Sequence, residues 1–278
     1  MFLLNMLLVT AALILCDIVG CRAADVDRQP EIVTLDSAPL SNPNPIKLRG
    51  ALRRPDGSDP FGAVVVLHSC NGNWLRIDDR GGKAVAAWGY VALSVDSFGP
   101  RGIKNTCAGL WPADMVLDAY RALSFLVQQP YVDRSRVAVL GFSRGGELAL
   151  WSVERGSIEN RFEDKFRAAV AFYPRCAMFS RPMIVPALIL IGENDDWTPA
   201  QACRDMVAGR SGPGIARKAD DRMDVRLVVY PDTYHSFDVL NLQPGKRLFG
   251  HWLEYNKSAT EQATTEVRQF LDKLIGRQ

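Results

Sequence analysis

The residues with the clearest chemical meaning are those of the segment Gly141–Gly146, which reads Gly-Phe-Ser-Arg-Gly-Gly. It follows the β-branched apolar run Arg136–Leu140 and precedes Glu147–Glu154, whose apolar residues recur at helical spacing. A Gly-x-Ser-x-Gly motif between a strand and a helix is typical of a nucleophile elbow, in which small residues permit a tight turn. The N-terminal amides of the new helix would face the group that the serine attacks. The sequence therefore predicts Ser143 as a nucleophile.

A serine hydroxyl needs a general base, and the chain has three histidines. His235 lies in a short loop just after the predicted strand Val225–Tyr230, which is where α/β sheets carry their ligands. His68 directly follows a buried strand, and we interpret it as a packing or hydrogen-bonding residue that shapes its loop. His251 lies in the approach to the last helix, and we interpret it as structural. His235 is therefore the predicted base.

The acid that orients this histidine is expected in the loop Gly192–Pro199, immediately after a predicted apolar strand. Three carboxylates crowd the loop. Asp195 is the preferred candidate because it gives the chain order serine, aspartate, histidine, which is the order of α/β-hydrolases. Asp196 is the alternative acid, and Glu193 suits a role within the loop itself.

Buried strands alternate with helices along the chain, which indicates βαβ units and a mostly parallel, doubly wound sheet flanked by helices. The apolar run Ala63–Leu67 is typical of a strand covered on both faces. The other predicted strands cover Glu31–Leu35, Ile46–Leu52, Val91–Val95, Ala168–Tyr173, Ala187–Ile191 and Val225–Tyr230. The predicted helices cover Gly82–Trp88, Pro112–Gln129 and Glu261–Ile275. The fold class is therefore α/β, with an α/β-hydrolase architecture.

The composition is that of one globular domain. The chain has 278 residues, of which 47% are hydrophobic and 23% charged. A net charge of +2 provides no basic field, so nucleic acid is not an expected partner. We assign residues 24–278 to a single α/β-hydrolase domain.

Residues 1–23 read as a targeting segment rather than as part of the fold. An apolar core is followed by small residues, and a cleavage site is expected near Ala23 or Ala24. The alternative is a lipoprotein site with Cys21 acylated. A spanning helix is disfavoured because the apolar run is shorter than the roughly 20 residues that a bilayer requires. An exported protein, periplasmic or secreted, is therefore expected.

Four cysteines fall within the predicted domain, and no Cys-x-x-Cys pair occurs, which disfavours zinc. Cys176 and Cys203 follow the carboxyl ends of strands that are expected to be neighbours. Cys70 and Cys107 lie in loops after the two preceding core strands. In an oxidising compartment we expect bridges Cys176–Cys203 and Cys70–Cys107, the second of which would tether the loop after the first buried strand. Four reduced thiols are the alternative.

Three motifs together resemble the dienelactone hydrolase family of α/β-hydrolases. They are Gly-x-Ser-x-Gly-Gly at the elbow, Gly192-x-x-Asp195-x-x-x-Pro199 in the acid loop, and His235-Ser236-Phe237. The resemblance extends from about Ile46 to the last helix. It implies Ser143 as nucleophile, His235 as base and Asp195 as acid. It also places Ser69 and Cys70 in the oxyanion-hole loop, where the backbone amides of Cys70 and Arg144 would face the developing charge.

The sequence departs from the best-known members, which carry cysteine where Ser143 stands and glutamate where Ser69 stands. Those members bind the substrate carboxylate with two arginines. Arg101 lies near one of these positions, and Val239 occupies the other. A generic ester is therefore expected in place of dienelactone. We predict substrate contacts from Ser69, Arg101 and Trp197, the alternative for Arg101 being a solvated loop charge.

These residues predict a serine hydrolase that cleaves carboxylic esters or lactones through an acyl-enzyme. Its partner would be a small-molecule substrate, and no metal or organic cofactor is implied. Two other classes are open: a serine peptidase or acyltransferase with the same triad, and a non-catalytic binding module that retains the fold. A fluorophosphonate probe separates the enzymes from the binding module, and a panel of esters and peptides separates the enzymes from one another.

Overall fold

The computed structural model describes residues 28–37, 45–109, 114–156, 158–210 and 225–276. The predicted targeting segment 1–23, including Cys21, and the start of the helix predicted at Pro112 lie outside these ranges. Within them, eight strands form the central sheet. They are β1 (Glu31–Ser37), β2 (Ile46–Arg53), β3 (Phe61–Leu67), β4 (Val91–Asp96), β5 (Val132–Phe142), β6 (Ala168–Phe172), β7 (Ala187–Gly192) and β8 (Val225–Tyr230).

The sheet order is β1-β2-β4-β3-β5-β6-β7-β8, and the predicted mostly parallel α/β sheet is confirmed. Strand β2 pairs antiparallel with both β1 and β4. Strands β3 to β8 are all parallel to one another. Strands β3 and β7 are buried along their whole length because helices cover both faces, which explains their unbroken apolar sequences. The carboxyl ends of β3, β5, β6 and β7 therefore meet at one edge.

Six α-helices accompany the sheet in the described part of the chain. They are α1 (Trp74–Ile77), α2 (Lys83–Ala87), α3 (Met115–Val127), α4 (Arg144–Trp151), α5 (Ala200–Val207) and α6 (Lys257–Ile275). A π-helical turn, Asp78–Gly82, joins α1 to α2, so this helical region starts earlier than predicted. Helix α6 also starts earlier than predicted, because the side chain of Asn256 caps it by accepting from the Ala259 amide.

A short hairpin after β8 was not predicted from the sequence. Strands β9 (Lys246–Leu248) and β10 (His251–Leu253) pair antiparallel around the two-residue turn Phe249-Gly250. Both turn residues have positive φ, 52° and 89°, which is the pattern of a type I′ turn. Leu253 forms a bridge with His235, so the hairpin is attached to the loop of the predicted base.

Two disulfides lie on the carboxyl side of the sheet. Cys70 is bonded to Cys107 and Cys176 to Cys203, with Cα atoms 4.9 Å and 4.8 Å apart. They join the pairs expected from the order of the strands. Among the described residues, no helix is long and apolar enough to cross a membrane.

Candidate active site

Ser143 lies between β5 and α4 in a backbone conformation that is rare for residues other than glycine, with φ 53° and ψ −114°. The turn is tight because its glycines are in contact with backbone. A Cβ atom on Gly141 would lie 2.0 Å from the carbonyl oxygen of Gly145, and one on Gly145 would lie 2.3 Å from that of Leu67. Only glycine fits both positions. The strain at Ser143, of order 1–3 kcal/mol, is maintained by this packing and presents the serine at the strand end.

A continuous chain of hydrogen bonds joins three buried side chains. The Oγ of Ser143 lies 3.1 Å from Nε2 of His235, and Nδ1 of His235 lies 2.7 Å from Oδ2 of Asp195. A carboxylate can only accept, so Nδ1 carries the proton in the neutral ring and Nε2 is free to accept from the serine. The three elements that follow β5, β7 and β8 thus bring the sequence-predicted nucleophile, acid and base together.

The carboxylate of Asp195 is held in one orientation by its own loop. Its Oδ1 accepts from the amides of Trp197 and Thr198, at 2.9 and 2.8 Å, and its Oδ2 accepts from the Thr198 hydroxyl at 2.9 Å. That hydroxyl also lies 3.2 Å from Nδ1 of His235. With the imidazole included, the carboxylate has four hydrogen-bond donors, which together fix its orientation. Thr198 is a functional residue that sequence reasoning missed.

The neighbouring acids have other partners. Oδ1 of Asp196 lies 3.5 Å from Nδ1 of His251 and accepts from the amide of Trp252, so it holds the hairpin. Glu193 forms an exposed ion pair with Arg204. The structural interpretation of His251 agrees with these contacts, whereas Glu193 pairs outside its own loop, with a residue of α5.

The loop after β3 is shaped by His68. Its Nδ1 lies 2.8 Å from the carbonyl oxygen of Ser69 and must donate there, and its Nε2 accepts from the Ser97 amide at 3.3 Å. Burial lowers the pKa of His68, and the contact with the Ser69 carbonyl opposes that shift. The ring also packs edge-on against Phe98, with centroids 4.5 Å apart. A neutral, buried histidine thus fixes the loop that carries Cys70, as the sequence interpretation expected.

Ser143 opens into a narrow cavity of about 10 Å³, close to the least space that holds one water molecule. Its lining is Cys70, Cys107, Ser143, Arg144, Glu147, Arg175, Trp197 and Thr198. The predicted oxyanion residues, Cys70 and Arg144, therefore line the same cavity as Ser143. Glu147 pairs with Arg144 at 2.5 Å. Burial raises the pKa of Glu147, and the charges of Arg144 and Arg175 oppose that rise.

A second buried network supports the imidazole from behind. The ring of Tyr173, which follows β6, lies with its centroid 4.6 Å from that of His235. Its hydroxyl donates to Oδ1 of Asp238 at 2.7 Å, and Oδ2 of Asp238 pairs with Arg80 at 2.5 Å. Burial, together with the charge of Asp238, raises the pKa of Tyr173 well above its ordinary value. Arg80 comes from the π-helical turn and lies over the ring of Phe142 at 4.3 Å.

The predicted substrate contacts fare differently. Trp197 lines the cavity and packs against His235, with ring centroids 5.0 Å apart. The hydroxyl of Ser69 donates to Asn71 within its own loop, at 2.9 Å. The solvated alternative for Arg101 is wrong. Its side chain is only 8% exposed and forms a two-pronged ion pair with buried Asp118, at 2.7 and 2.9 Å, so it ties its loop to α3.

The described residues contain no group of three or more histidine, cysteine, aspartate or glutamate side chains that could hold a metal ion. The candidate site itself offers a serine, a histidine and an aspartate joined by hydrogen bonds. A hydroxyl beside an imidazole nitrogen that can accept its proton suits attack on a carbonyl carbon.

The model of the dienelactone hydrolase family matches residues 48–275. The chain belongs to the dienelactone hydrolase family. The match begins in β2 and ends with α6, close to the range over which the motifs resemble the family. This family member is a carboxylic ester hydrolase. Its two disulfides are consistent with an extracellular or periplasmic location. A comparison with curated proteins finds no significant match.

Solved structures share the fold of this dienelactone hydrolase family member. A dienelactone hydrolase-like promiscuous phosphotriesterase from metagenomic libraries is 20% identical, with a TM-score of 0.65 over 90% of this chain and 100% of that one. Thermogutta terrifontis esterase 2 with bound butyrate is 18% identical, with a TM-score of 0.64 over 91% and 98%. An esterase of Pyrobaculum calidifontis is 16% identical, with a TM-score of 0.62 over 89% and 87%. At these identities the likeness is one of fold.

Proposed function

We propose that this family member is a serine hydrolase that cleaves small-molecule carboxylic esters or lactones through an acyl-enzyme. The observation that carries the proposal is the buried hydrogen-bond chain from Ser143 through His235 to Asp195. The strained elbow supports it, since a residue is held in a rare conformation only where the surroundings enforce it.

In the first half of the reaction, Nε2 of His235 removes the proton of the Ser143 hydroxyl while its Oγ attacks the ester carbonyl carbon. The carbonyl oxygen becomes an oxyanion, which the amides of Cys70 and Arg144 stabilise. Asp195 stabilises the imidazolium that forms. The intermediate then expels the alcohol, which takes the proton from His235, and the acyl group remains on Ser143.

In the second half, water takes the place of the alcohol. His235 removes a proton from the water, whose oxygen attacks the acyl carbon, and a second oxyanion forms at the same amides. Collapse releases the carboxylic acid and returns the proton to Ser143. A lactone follows the same course, except that its alcohol stays attached to the acyl group and leaves only with the acid. The proposed mechanism uses no cofactor.

We also propose that the protein is exported to the periplasm or secreted. The apolar N-terminal segment supports this, with cleavage near Ala23 or Ala24, or acylation at Cys21 as the alternative. The disulfides Cys70–Cys107 and Cys176–Cys203 support it as well, because such bonds persist in oxidising compartments. Mass analysis of protein from cell fractions, with and without reductant, tests both points. Uncleaved, unacylated protein found only in the cytoplasmic fraction would contradict export, and four free thiols in the exported protein would contradict the two bridges.

The test of the activity is hydrolysis of p-nitrophenyl esters of increasing chain length by the wild type and by Ser143→Ala. The variant is expected to lose nearly all turnover while its circular dichroism and melting temperature are retained. The matched control is Ser135→Ala, an exposed serine near the start of β5. Wild-type turnover by Ser143→Ala would contradict the mechanism. Cleavage of a peptide panel with no ester hydrolysis would favour the peptidase.

A further inference from the structure

The hairpin beside the base presents an aromatic residue where the backbone does not favour one. Phe249 is the first residue of the two-residue turn, with φ 52°, a region that favours glycine or asparagine. A bulky side chain there is a genuine outlier. The residue is also 58% exposed, so burial in the core does not compensate for the strain.

The exposed ring of Phe249 is connected to the active site by one continuous row of rings. Its centroid lies 5.8 Å from that of Trp197, and Trp197 packs against the ring of His235 at 5.0 Å. Trp197 also stacks on His251, with centroids 4.9 Å apart and planes 13° from parallel. We call Trp197 and Phe249 the aromatic shelf. It extends from the cavity of Ser143 to the molecular surface.

The shelf is held in place before any substrate arrives. Asp196 accepts from the amide of Trp252 at 3.3 Å and lies 3.5 Å from His251, while Leu253 bridges to His235. These contacts fasten the hairpin to both the acid loop and the base. A preorganised apolar surface loses little entropy when a ligand covers it.

The direction of each bond at the reacting carbon decides which part of an ester faces the shelf. The leaving oxygen must lie within hydrogen-bond reach of Nε2 of His235, because that atom protonates it. The carbonyl oxygen must face the amides of Cys70 and Arg144. The acyl group is left with the space beside Ser143, a cavity of only about 10 Å³.

We propose that the aromatic shelf binds the alcohol portion of the ester, and that the substrates combine a short acyl group with a large apolar or aromatic alcohol. This inference rests on the proposed serine hydrolase activity. The alcohol lies on the side of His235, where Trp197 and Phe249 offer ring faces and edges for it.

Two isomeric esters test this orientation: 2-phenylethyl acetate carries the phenyl group on the alcohol, and methyl 3-phenylpropanoate carries it on the acyl group. The wild type is expected to hydrolyse 2-phenylethyl acetate with a kcat/KM at least about tenfold higher. Equal values, or a preference for methyl 3-phenylpropanoate, would overturn the proposal. Absence of turnover on both isomers and on ethyl acetate would instead mean that the proposed hydrolase activity itself fails.

The variant Phe249→Asn separates a binding role from a structural one. Asparagine suits the positive φ, so the melting temperature is expected to be unchanged or higher. The kcat/KM for 2-phenylethyl acetate is expected to fall about three- to tenfold, the range for loss of one aromatic contact. That for ethyl acetate should change less than about twofold. The matched control is Leu240→Ala. It removes an apolar side chain that is 69% exposed and lies in the turn Leu240–Leu242, before the hairpin. Equal losses on both esters, or the same selective loss in Leu240→Ala, would overturn the proposal.

Discussion

Asp195 and Asp196 adjoin in the chain, but their carboxylates face different histidines. Asp195 lies 2.7 Å from Nδ1 of His235, the histidine beside the nucleophile, and Asp196 lies 3.5 Å from Nδ1 of His251 in the hairpin. One loop thus supports the proposed catalytic base and anchors the surface beside it. In the sequence the two acids are adjacent, so chain order alone favoured Asp195. In the structure they differ in the histidine that each contacts.

Replacing the two acids one at a time tests this division. Asp195→Asn is expected to reduce kcat on ethyl acetate by about 10³- to 10⁴-fold, because an amide no longer fixes the tautomer of His235. Asp196→Asn keeps an acceptor for the Trp252 amide and should change kcat less than about threefold. Steady-state kinetics of both variants provide the comparison. The reverse order of losses would assign the proposed acid role to Asp196.

The stability of the oxyanion loop is expected to depend on pH through His68. Burial lowers the pKa of His68 below its ordinary 6.5, so the folded protein binds this proton less readily than the unfolded chain. Stability from this group is therefore full above pH 6.5 and is lost as the pH falls below that value. Urea unfolding at pH 7.5 and at pH 5.5 measures this effect. Between these pH values the free energy of unfolding should fall by about 1 kcal/mol less in His68→Gln than in the wild type. An identical pH dependence in both proteins would contradict this.

The ring and the hydroxyl of Tyr173 are expected to have separable effects, the ring on catalysis and the hydroxyl on stability. Tyr173→Phe removes the bond to Asp238 but retains the ring against His235, so kcat should stay within about threefold while unfolding costs about 1–3 kcal/mol less. Tyr173→Leu removes the planar support as well and should lower kcat at least about tenfold. Kinetics and denaturant unfolding of the pair measure both effects. Equal kcat values for the two variants would show that the ring does not position His235.

The two disulfides are expected to differ in their effect on catalysis. They close loops of similar length, with sequence separations of 37 and 27, and each should contribute at most about 4 kcal/mol to stability. Only Cys70–Cys107 contains a proposed oxyanion residue. The kinetics are measured well below the melting temperature of either double variant. There Cys70→Ser/Cys107→Ser should lower kcat by a larger factor than the factor by which it changes KM. Cys176→Ser/Cys203→Ser should leave kcat within about threefold. The prediction fails if the second pair has the larger effect.

The sequence alone predicts the sheet and the three residues of the proposed triad well, because both depend on local patterns. Continuous apolar runs mark buried strands, and the residues that follow them meet at one edge of a parallel sheet. The elbow motif then places Ser143 at that edge, and the strand-end positions of Asp195 and His235 bring them to the same place.

The features that were missed depend on tertiary contacts. Arg101 is neutralised by Asp118, which α3 supplies 17 residues later, and no local signal marks that pairing. Tyr173, Asp238 and Arg80 come from three separate parts of the chain. The hairpin has strands of three residues and Phe-Gly in place of the usual Asn-Gly, so its turn lacks the sequence pattern that predicts it.

The central claim is that Ser143 is the nucleophile, and labelling with a fluorophosphonate followed by tryptic peptide mass analysis tests it most directly. Cleavage after Arg136 and Arg144 releases the peptide Val137–Arg144, in which Ser143 is the only serine. We expect one phosphonyl group per protein on this peptide, and much slower labelling in His235→Ala. Labelling of another peptide, or no labelling of the folded wild type, would contradict the account.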